Sequence, residues 1–281
     1  MKDIKQLINF GIINIDKSAG PTSFSISKFL RKELGLNKTS HMGTLDPKVT
    51  GVLPITLGRA CKLANYFITH DKNYVGILHT HKEQDINKLQ ELIDKHFSGK
   101  IKQTPPHRSA VKRAEREREI YNFKFLEALE NKRDFLFECS VEGGTYIRKI
   151  CSDLGDMIGG AHMGELRRTR AGIFDESKIY DLYKFSLAVE EYKKGNDKKL
   201  REMIVPAEIA IRQVLKVIEV DKSALKALYT GKPLLKSNIV GKDEVVGKDE
   251  VFALFCEKNF IGTYRKTTEE GIFGRAEFVF N

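Results

Sequence analysis

The sequence is poor in the features that mark membrane, secreted and metal-bound proteins. It has no tryptophan, and its four cysteines (Cys61, Cys139, Cys151 and Cys256) form no Cys-x-x-Cys pair. We therefore expect neither a disulfide framework nor a zinc ribbon, and the cysteines suit a reducing, cytoplasmic setting. No apolar run approaches the roughly 20 residues of a membrane span. The start of the chain is mixed and lysine-bearing, so no secretory signal is predicted there either.

Positive charge, by contrast, is in excess. The chain has 48 Lys and Arg against 38 Asp and Glu, which gives a net charge of +10. Its 281 residues, 41% of them hydrophobic, suffice for one large globular domain and a small one. The cations indicate a polyanionic partner, most simply a nucleic acid. On charge alone, a basic surface without a ligand is the alternative.

The apolar residues predict a mixture of strands and helices. Short strands are predicted at 12–15, 74–79 and 135–141, and helices at 26–34, 86–97 and 147–158. Thr22 or Ser23 can cap the first helix, and Gly35 can end it. The strand signals are predominantly antiparallel, so the predicted fold class is α+β, a mixed and mainly antiparallel body.

After Pro206 the pattern changes to short strands separated by turns, which is typical of a small β-barrel. The strands are predicted at 215–220, 251–256, 260–264 and 276–280. We therefore predict two domains, residues 1–205 and 206–281, with residues 1–10 able to pack on the second. The tandem repeat of VGKDEV over residues 240–251 is too short for a solenoid and is interpreted as a lengthened loop or hairpin.

The most informative stretch surrounds Asp46, between residues 40 and 54. Glycines and prolines bracket this carboxylate, which predicts a rigid turn that orients the side chain at a surface or cleft. A single oriented carboxylate suits nucleophilic catalysis better than chemistry that needs two acids. For an arbitrary Asp-Pro pair, however, a turn aspartate that satisfies its own backbone is the more frequent outcome.

Motifs elsewhere reverse that preference. They are, in order, GIINIDK at 11–17 with GPTS at 20–23, HMGTLDP at 41–47, GGTYIR at 143–148 and GAHMGELRRTR at 160–170. In this order they resemble the motifs of the TruB/dyskerin family of pseudouridine synthases, and the combination is far more specific than any one motif. The resemblance implies a pseudouridine-synthase catalytic domain followed by a PUA-like, RNA-binding β-barrel. It also implies an isomerase that acts on RNA without a cofactor or a metal.

The resemblance assigns the chemistry to residues around Asp46. Asp46 is expected to be the nucleophile, attacking either the anomeric carbon of the ribose or the uracil ring. Arg148 is expected to be the cation that pairs with Asp46, although an ordinary surface arginine at a helix start would look the same in sequence. Tyr74 should stack on the target base. Without the resemblance, Tyr74 would be interpreted as a strand aromatic in the core.

Four further residues are expected to support this site. Tyr146 and Leu166 should form the pocket wall, with Leu166 presenting an apolar surface to the base. His41 is expected to contact the flipped nucleotide or its neighbours, and Lys17 to support the active-site loop. All four roles follow from the resemblance alone.

Two basic segments are candidates for contact with the RNA backbone. They contain Arg108, Lys112 and Arg113 in the first, and Arg167, Arg168 and Arg170 in the second. Such contacts position the RNA, while a stacked uridine must be flipped out to react, at a cost of a few kcal/mol. Glutamates alternate with the arginines at 115–119, which is equally compatible with a solvated, salt-bridged face.

Two segments, PPHRSAVKR at 105–113 and HMGELRRTR at 162–170, resemble the archaeal and eukaryotic dyskerin branch of the family. Members of this branch are catalytic subunits of box H/ACA guide ribonucleoproteins. The resemblance therefore implies rRNA targets selected by a guide RNA, with small accessory proteins as partners. Archaeal members can also modify the tRNA T-loop, so tRNA is the other expected substrate.

Two other classes of protein remain as alternatives. A non-catalytic RNA-binding scaffold fits the charge and the C-terminal module, but it has no need for Asp46, Tyr74 and Arg148 together. A metal-dependent nuclease could use His79 and His81 on one strand face, with His70 and Asp71 nearby. That alternative lacks a suitably spaced ligand beyond the aspartate.

Overall fold

The computed structural model of the protein describes residues 2–105, 114–241 and 246–281, and in these residues the strands form two separate sheets. The strands of the larger sheet are β1 (Gly11–Lys17), β2 (Thr39–His41), β3 (Thr50–Leu57), β4 (Lys72–Thr80), β5 (Gly99–Gln103), β6 (Arg116–Ala128), β7 (Asp134–Val141), β8 (Ala161–Ala171), β9 (Phe174–Asp175) and β10 (Ile204–Pro206). Their order is β10-β1-β3-β8-β4-β7-β6-β5, with β2 paired to β3 and β9 to β8. Only the β3–β8 pairing in this sheet is parallel among the described residues. The mixed, mainly antiparallel α+β class is confirmed.

Helices pack against this sheet or connect its strands. They are α1 (Ile4–Asn9), α2 (Ser23–Glu33), α3 (Ala64–Ile68), α4 (Ile86–His96), α5 (Ile147–Ile158), α6 (Leu182–Lys193) and α7 (Lys198–Met203). The hydroxyl of Thr22 accepts a hydrogen bond from the backbone N–H of Ser25, which caps α2. The predicted apolar stripe of α5 is buried, so Arg148 projects from its exposed side. No helix in the described part of the chain is long and apolar enough to cross a membrane.

The turn around Asp46 is shorter than the sequence predicts. Residues 50–57 form the buried strand β3 instead of continuing the turn. Pro54 lies opposite Asn14 in the β1–β3 pairing, and on the other edge of β3 it falls between two ladders, since β8 pairs with Thr50 and Gly51 and β2 pairs from Ile55 onward. The loop that carries Asp46 therefore runs from residue 42 to 49, with a strand at either end.

The C-terminal sheet is a five-stranded half-barrel. After α8 (Ala207–Ile211) come β11 (Val217–Glu219), α9 (Leu225–Leu228), β12 (Leu234–Leu235), β13 (Val251–Cys256), β14 (Asn259–Lys266) and β15 (Ile272–Val279). The strand order is β11-β13-β14-β15-β12. Aromatic residues join it to the rest of the molecule, since the ring of Phe10 stacks on Phe280 and Phe260 at centroid distances of 3.9 and 5.6 Å. In the second copy of the VGKDEV repeat, residues 246–250 precede β13 and Val251 begins it, while residues 242–245 lie outside the described part.

Candidate active site

Lys17, at the end of β1, binds the loop that carries Asp46. The Lys17 ammonium is buried and donates hydrogen bonds to the carbonyls of Ser18, Pro47 and Val49 at 3.0, 2.9 and 2.7 Å. Burial lowers the pKa of Lys17, and the charge of Asp46 partly opposes this. Because its three donors are satisfied by carbonyls of this region, Lys17 is placed as a support for the loop.

Helix α2 holds the same loop from its amino end. The buried hydroxyl of Ser23 accepts from the N–H of Leu45 at 2.8 Å and donates to the carbonyl of Leu45 at 3.0 Å. The N–H of Val49 closes the turn on the carbonyl of Asp46 at 3.0 Å. The sequence suggests Ser23 only as a helix cap. Its role in the loop escapes sequence reasoning because its partner lies 22 residues away.

Arg168, on β8, holds the other side of the loop from the interior. Its Nε donates to the carbonyl of Val52 at 2.7 Å and its Nη2 to the carbonyl of Gly43 at 3.1 Å. With only 1% of its surface exposed, Arg168 cannot be a surface contact for the RNA backbone, so that prediction is wrong. It fails because Arg168 faces inward from β8, a strand that the sequence patterns do not predict.

Asp46 and Arg148 face each other at the mouth of this loop. Arg148 Nη1 lies 3.0 Å from Asp46 Oδ2, and the two side chains are 47% and 43% exposed. An ion pair this exposed contributes little to stability. Its consequence is orientation, because Arg148 extends from the first turn of α5 and directs its guanidinium at the Asp46 carboxylate.

Tyr74 and Leu166 lie on the neighbouring strands β4 and β8 and are buried, with 8% and 7% of their surfaces exposed. Tyr74 is directly opposite Arg168 in the β4–β8 register. Burial raises the pKa of the Tyr74 phenol, while the charge and hydrogen bond of Arg168 act in the opposite sense. The phenol is therefore protonated at neutral pH and can donate a proton in a hydrogen bond. Leu166 is packed in the core next to Gly76.

His41 directly precedes the loop that carries Asp46, and Tyr146 precedes Arg148 by two residues. Nε2 of His41 lies 3.1 Å from the hydroxyl of Thr44, in the loop itself. Burial, and secondarily the charge of Arg168, lower the pKa of His41, so its ring is neutral at pH 7. The Tyr146 backbone is fixed by Gln103, which accepts from its N–H at 3.0 Å and donates to its carbonyl at 3.3 Å. Tyr146 also lines a cavity of about 260 Å³ that includes Arg116 and Arg118.

The second predicted basic cluster is not a group of free surface cations. Arg167 pairs with Asp16 at 2.9 Å and with Glu176 at 2.6 Å. Arg170 donates to the side chain of Asn73 at 3.0 Å and to the carbonyl of Gly172 at 3.2 Å. Both guanidinium groups are therefore bound to neighbouring strands and turns, so that fewer of their N–H groups are available to RNA phosphates.

The first predicted basic cluster, Arg108, Lys112 and Arg113, lies outside the described residues. Immediately after it, the glutamates at 115 and 117 pair with lysines of β5, Lys102 and Lys100, at 3.1 and 3.0 Å. The alternation of charges along this segment therefore forms a salt-bridged face on β5 and β6, the second of the two interpretations that the sequence allows.

The histidines proposed for a metal site have other partners. Nδ1 of His79 lies 2.6 Å from Asp134 Oδ1, and the ring of His79 packs beside His162. Within residues 2–105, 114–241 and 246–281, no three His, Cys, Asp or Glu side chains are arranged to hold a metal ion. The geometry of these residues therefore offers no support for the nuclease alternative.

Comparison with known proteins identifies close relatives across most of the chain. A model of the TruB family pseudouridylate synthase N-terminal domain matches residues 31–147, and one of the tRNA pseudouridylate synthase B C-terminal domain matches residues 148–212. The chain is 40% identical to the probable tRNA pseudouridine synthase B of Methanothermobacter thermautotrophicus, over 86% of this chain and 74% of the relative. The protein of the same name from Archaeoglobus fulgidus is 41% identical, over 92% of this chain and 79% of the relative.

Two solved structures share the whole fold. The chain is similar to one chain of a Cbf5-Nop10-Gar1 complex, with a TM-score of 0.90 and 34% identity, over 100% of this chain and 88% of the other. It is also similar to a chain in the structure of an H/ACA RNP bound to a substrate RNA that contains 2′-deoxyuridine. There the TM-score is 0.88 and the identity 32%, again over 100% of this chain and 88% of the other.

Proposed function

Because the chain belongs to the TruB family of pseudouridine synthases, we propose that Asp46 is the nucleophile with which it isomerises uridine in RNA. The bond between uracil N1 and the anomeric carbon of the ribose breaks, and a bond between carbon 5 and that carbon forms. Carbon 5 loses a proton and N1 gains one, so the product is an isomer and no electrons are exchanged with a partner. A carboxylate can assist by attacking either the anomeric carbon or the uracil ring.

The observation that carries this proposal is the fixation of Asp46. Its loop is bound by Lys17, Ser23 and Arg168, which come from three separate elements, and its carboxylate is oriented by Arg148 at 3.0 Å. Such preorganisation is costly for a turn that serves only to connect strands, whereas a nucleophile requires it, since misplacement by an ångström slows a reaction strongly.

The surrounding residues suit a flipped uridine. Tyr74, whose phenol is close enough to Asp46 to be affected by its charge, is proposed to provide an aromatic face, and Leu166, on the neighbouring strand, an apolar wall. Stacking and hydrogen bonds in such a pocket recover the few kcal/mol that base flipping costs. Tyr146 and the neutral His41 border the pocket and are proposed to contact the target or its neighbouring nucleotides.

We propose two RNA substrates, the T-loop of tRNA and rRNA selected by an H/ACA guide RNA. The names of the relatives support tRNA as a substrate, and the H/ACA RNP in a similar solved structure supports guide-directed modification. In the second setting, small proteins of the kind that accompany Cbf5 would bind the chain. We also propose that residues 1–205 are the catalytic domain and residues 206–281 a PUA-like domain that binds RNA.

The release of tritium from RNA labelled at carbon 5 of uridine tests the mechanism directly, because that position loses its proton. We expect release by the parent protein and none above background by Asp46→Asn, which keeps the size of the side chain but removes the nucleophilic charge. Arg148→Ala should lose most activity and still bind RNA. Turnover by pure Asp46→Asn would overturn the mechanism.

The same assay separates the substrates. It is run on tRNA alone, and on a ribosomal target with guide RNA and accessory proteins. Release from tRNA alone would assign guide-independent activity, and release only from the assembled particle would assign guide-directed activity. No release in either setting would favour a scaffold.

A further inference from the structure

We propose that Lys72 is a positioning residue for the reaction, whose buried ammonium joins the two parts of the chain that carry Asp46 and Arg148. The inference rests on the proposed function, since it names a further residue of the same site. Lys72 is the first residue of β4 and lies two positions before Tyr74, so both side chains lie on one face of the sheet. Both are buried there, with 4% and 8% of their surfaces exposed.

The Lys72 ammonium binds the turn between α3 and β4. It donates hydrogen bonds to the carbonyl of Ile68, at 2.8 Å, and to the carbonyl of His70. In the part of the chain that the structure describes, it forms no ion pair with a carboxylate. Burying a charge without an ionic partner is costly. A turn that only connects a helix to a strand does not require a cation at this cost, which indicates a role for Lys72 beyond the turn.

The carbonyls of this turn also form the surface on which Gly143 lies. A Cβ atom at Gly143 would lie 2.7, 2.7 and 2.9 Å from the carbonyl oxygens of residues 68–70, so the position has room only for glycine. Lys72 binds two of these three carbonyls. Gly143 belongs to the turn that leads into α5, where Arg148 is the second residue. Through these carbonyls Lys72 therefore supports the start of the helix that carries Arg148.

The aliphatic part of Lys72 lies beside the loop that carries Asp46. A Cβ atom at Gly43, in that loop, would lie 3.8 Å from Cε of Lys72 and 3.3 Å from Nη1 of Arg168. The two cationic side chains thus lie next to the same residue of the loop, and Arg168 binds its carbonyl as well. Lys72 therefore contacts the loop on one side and the support of Arg148 on the other.

The charge of Lys72 is sensitive to pH near neutrality. Burial, and secondarily the charge of Arg168, lower its pKa from 10.5 to about 8. Asp71 opposes this shift and Arg170 adds to it, while β7 presents the apolar Val141 opposite Lys72. The ammonium is therefore charged below about pH 8 and loses its charge as the pH rises through that value. Because a neutral amine donates weaker hydrogen bonds, we expect both supports to weaken above this pH.

The enclosed position of Lys72 separates its effect from RNA binding. Its ammonium is directed at carbonyls of the chain and its surface is 4% exposed, so it cannot contact a phosphate or the target base. Displacement of Asp46 or Arg148 slows the reaction without removing a contact to RNA. We therefore expect the rate of the chemical step, and not the affinity for RNA, to depend on Lys72.

The test compares Lys72→Met with the control variant Lys124→Met. Methionine keeps an unbranched apolar side chain and removes the ammonium, and Lys124 is an exposed lysine of β6, so both variants lose the same charge. Single-turnover tritium release and the dissociation constant are measured on one tRNA transcript, at several pH values on either side of about 8. Hydrogen–deuterium exchange of residues 42–49 and 142–148 reports the order of the two supported segments without requiring activity. Circular dichroism checks that the variants fold.

We expect Lys72→Met to lower the single-turnover rate at least about tenfold, with RNA affinity within about twofold of the parent. Amide exchange should become faster in both segments, and the control should behave like the parent. The rate of the parent should fall as the pH rises above about 8, and this fall should be absent in Lys72→Met. Burial lowers the pKa of Lys17 too, so a fall that persists in Lys72→Met would assign it to another group and overturn the role of the Lys72 charge.

A folded Lys72→Met with the rate of the parent, or with unchanged exchange in both segments, would overturn the proposal. So would equal losses of rate and RNA affinity, which would indicate general damage to the fold. If Lys72→Met does not fold, Lys72→Arg decides, because arginine keeps its charge throughout this pH range. The rate of a folded Lys72→Arg should not fall above about pH 8, and a fall like that of the parent would overturn the proposal.

Tritium release by the parent protein separates this inference from the proposed function. If the parent releases none, the proposed function fails, while hydrogen–deuterium exchange still decides whether Lys72 holds the two segments. If the parent is active and Lys72→Met behaves like Lys124→Met, the positioning role fails and the proposed function stands.

Discussion

Arg168 connects three parts of the proposed site from an enclosed position. Its guanidinium binds the carbonyls of Gly43 and Val52, at either side of the loop that carries Asp46, and faces the phenol of Tyr74. Burying an arginine is costly unless its donors are satisfied, and here the carbonyls and the phenol accept them. We therefore regard Arg168 as a positioning residue for Asp46 that does not touch the RNA.

Arg168→Met should keep RNA affinity within about twofold but lower kcat at least about tenfold, because each carbonyl left unpaired costs about 1–3 kcal/mol and the loop can relax. Single-turnover rates and dissociation constants are measured on the same RNA, with thermal melting to confirm folding. Arg167→Met is the control from the next position on β8, whose side chain pairs with Asp16 and Glu176 instead. A folded Arg168→Met with the kcat of the parent would refute the positioning role.

Strand β3 sets the direction of the chain after the loop that carries Asp46. At Gly51 the backbone has a φ of +98° and approaches β8 so closely that a Cβ atom would lie 2.2 Å from the carbonyl oxygen of Arg168. Only glycine allows both features at once. Gly51 therefore allows β3 to pair with β8 directly after the loop, and this pairing brings Arg168 next to the loop that carries Asp46.

Gly51→Ala should lower the free energy of unfolding by at least about 2 kcal/mol, because the new methyl group forces β3 and β8 apart and strains φ. Urea denaturation measures this loss. Gly35→Ala is the control, since Gly35 also has a positive φ, +63°, but no atom lies within 4 Å of the added Cβ. We expect the control to cost about 1 kcal/mol. Equal losses in the two variants would show that close approach at Gly51 does not matter.

Across the whole molecule, the larger sheet and the half-barrel share one apolar cluster. Phe10 is 1% exposed and stacks between the two parts on Phe280 and Phe260. The position of the half-barrel is thus set by packing, and a cleft of about 600 Å³, lined in part by Asn9 and Phe278, lies along this junction. Loss of this packing should change the position of the half-barrel relative to the larger sheet, and with it the way in which a long RNA contacts the two.

Phe10→Ala should destabilise the protein by about 3–5 kcal/mol, the usual cost of removing a buried phenylalanine. Thermal and urea unfolding, followed by separate probes in each sheet, measure the loss and show whether the two parts still unfold together. Phe24→Ala, which removes an exposed ring, is the control and should change stability by less than about 0.5 kcal/mol. A Phe10→Ala variant as stable as this control would contradict a packed junction.

Local patterns in the sequence are enough for much of this architecture. The cap at Thr22, the strand predicted at 135–141 and the helix predicted at 147–158 each depend on residues a few positions apart, and the structure has all three elements. The motif resemblance likewise predicts that Asp46 and Arg148 form a pair, and the two side chains do meet. Their roles as nucleophile and partner stay predictions.

Only the tertiary structure decided which cations face inward and which face solvent. In the sequence Arg168 belongs to a basic cluster, yet its partner Gly43 lies 125 residues away, beyond the reach of any local pattern. Lys17 and Ser23 are loop supports through similarly distant contacts. Spacing along the chain determines elements and motifs, because those depend on near neighbours. Burial, and with it the division between enclosed cations that support the loop and cations that face solvent, depends on contacts that exist only after the sheet has formed.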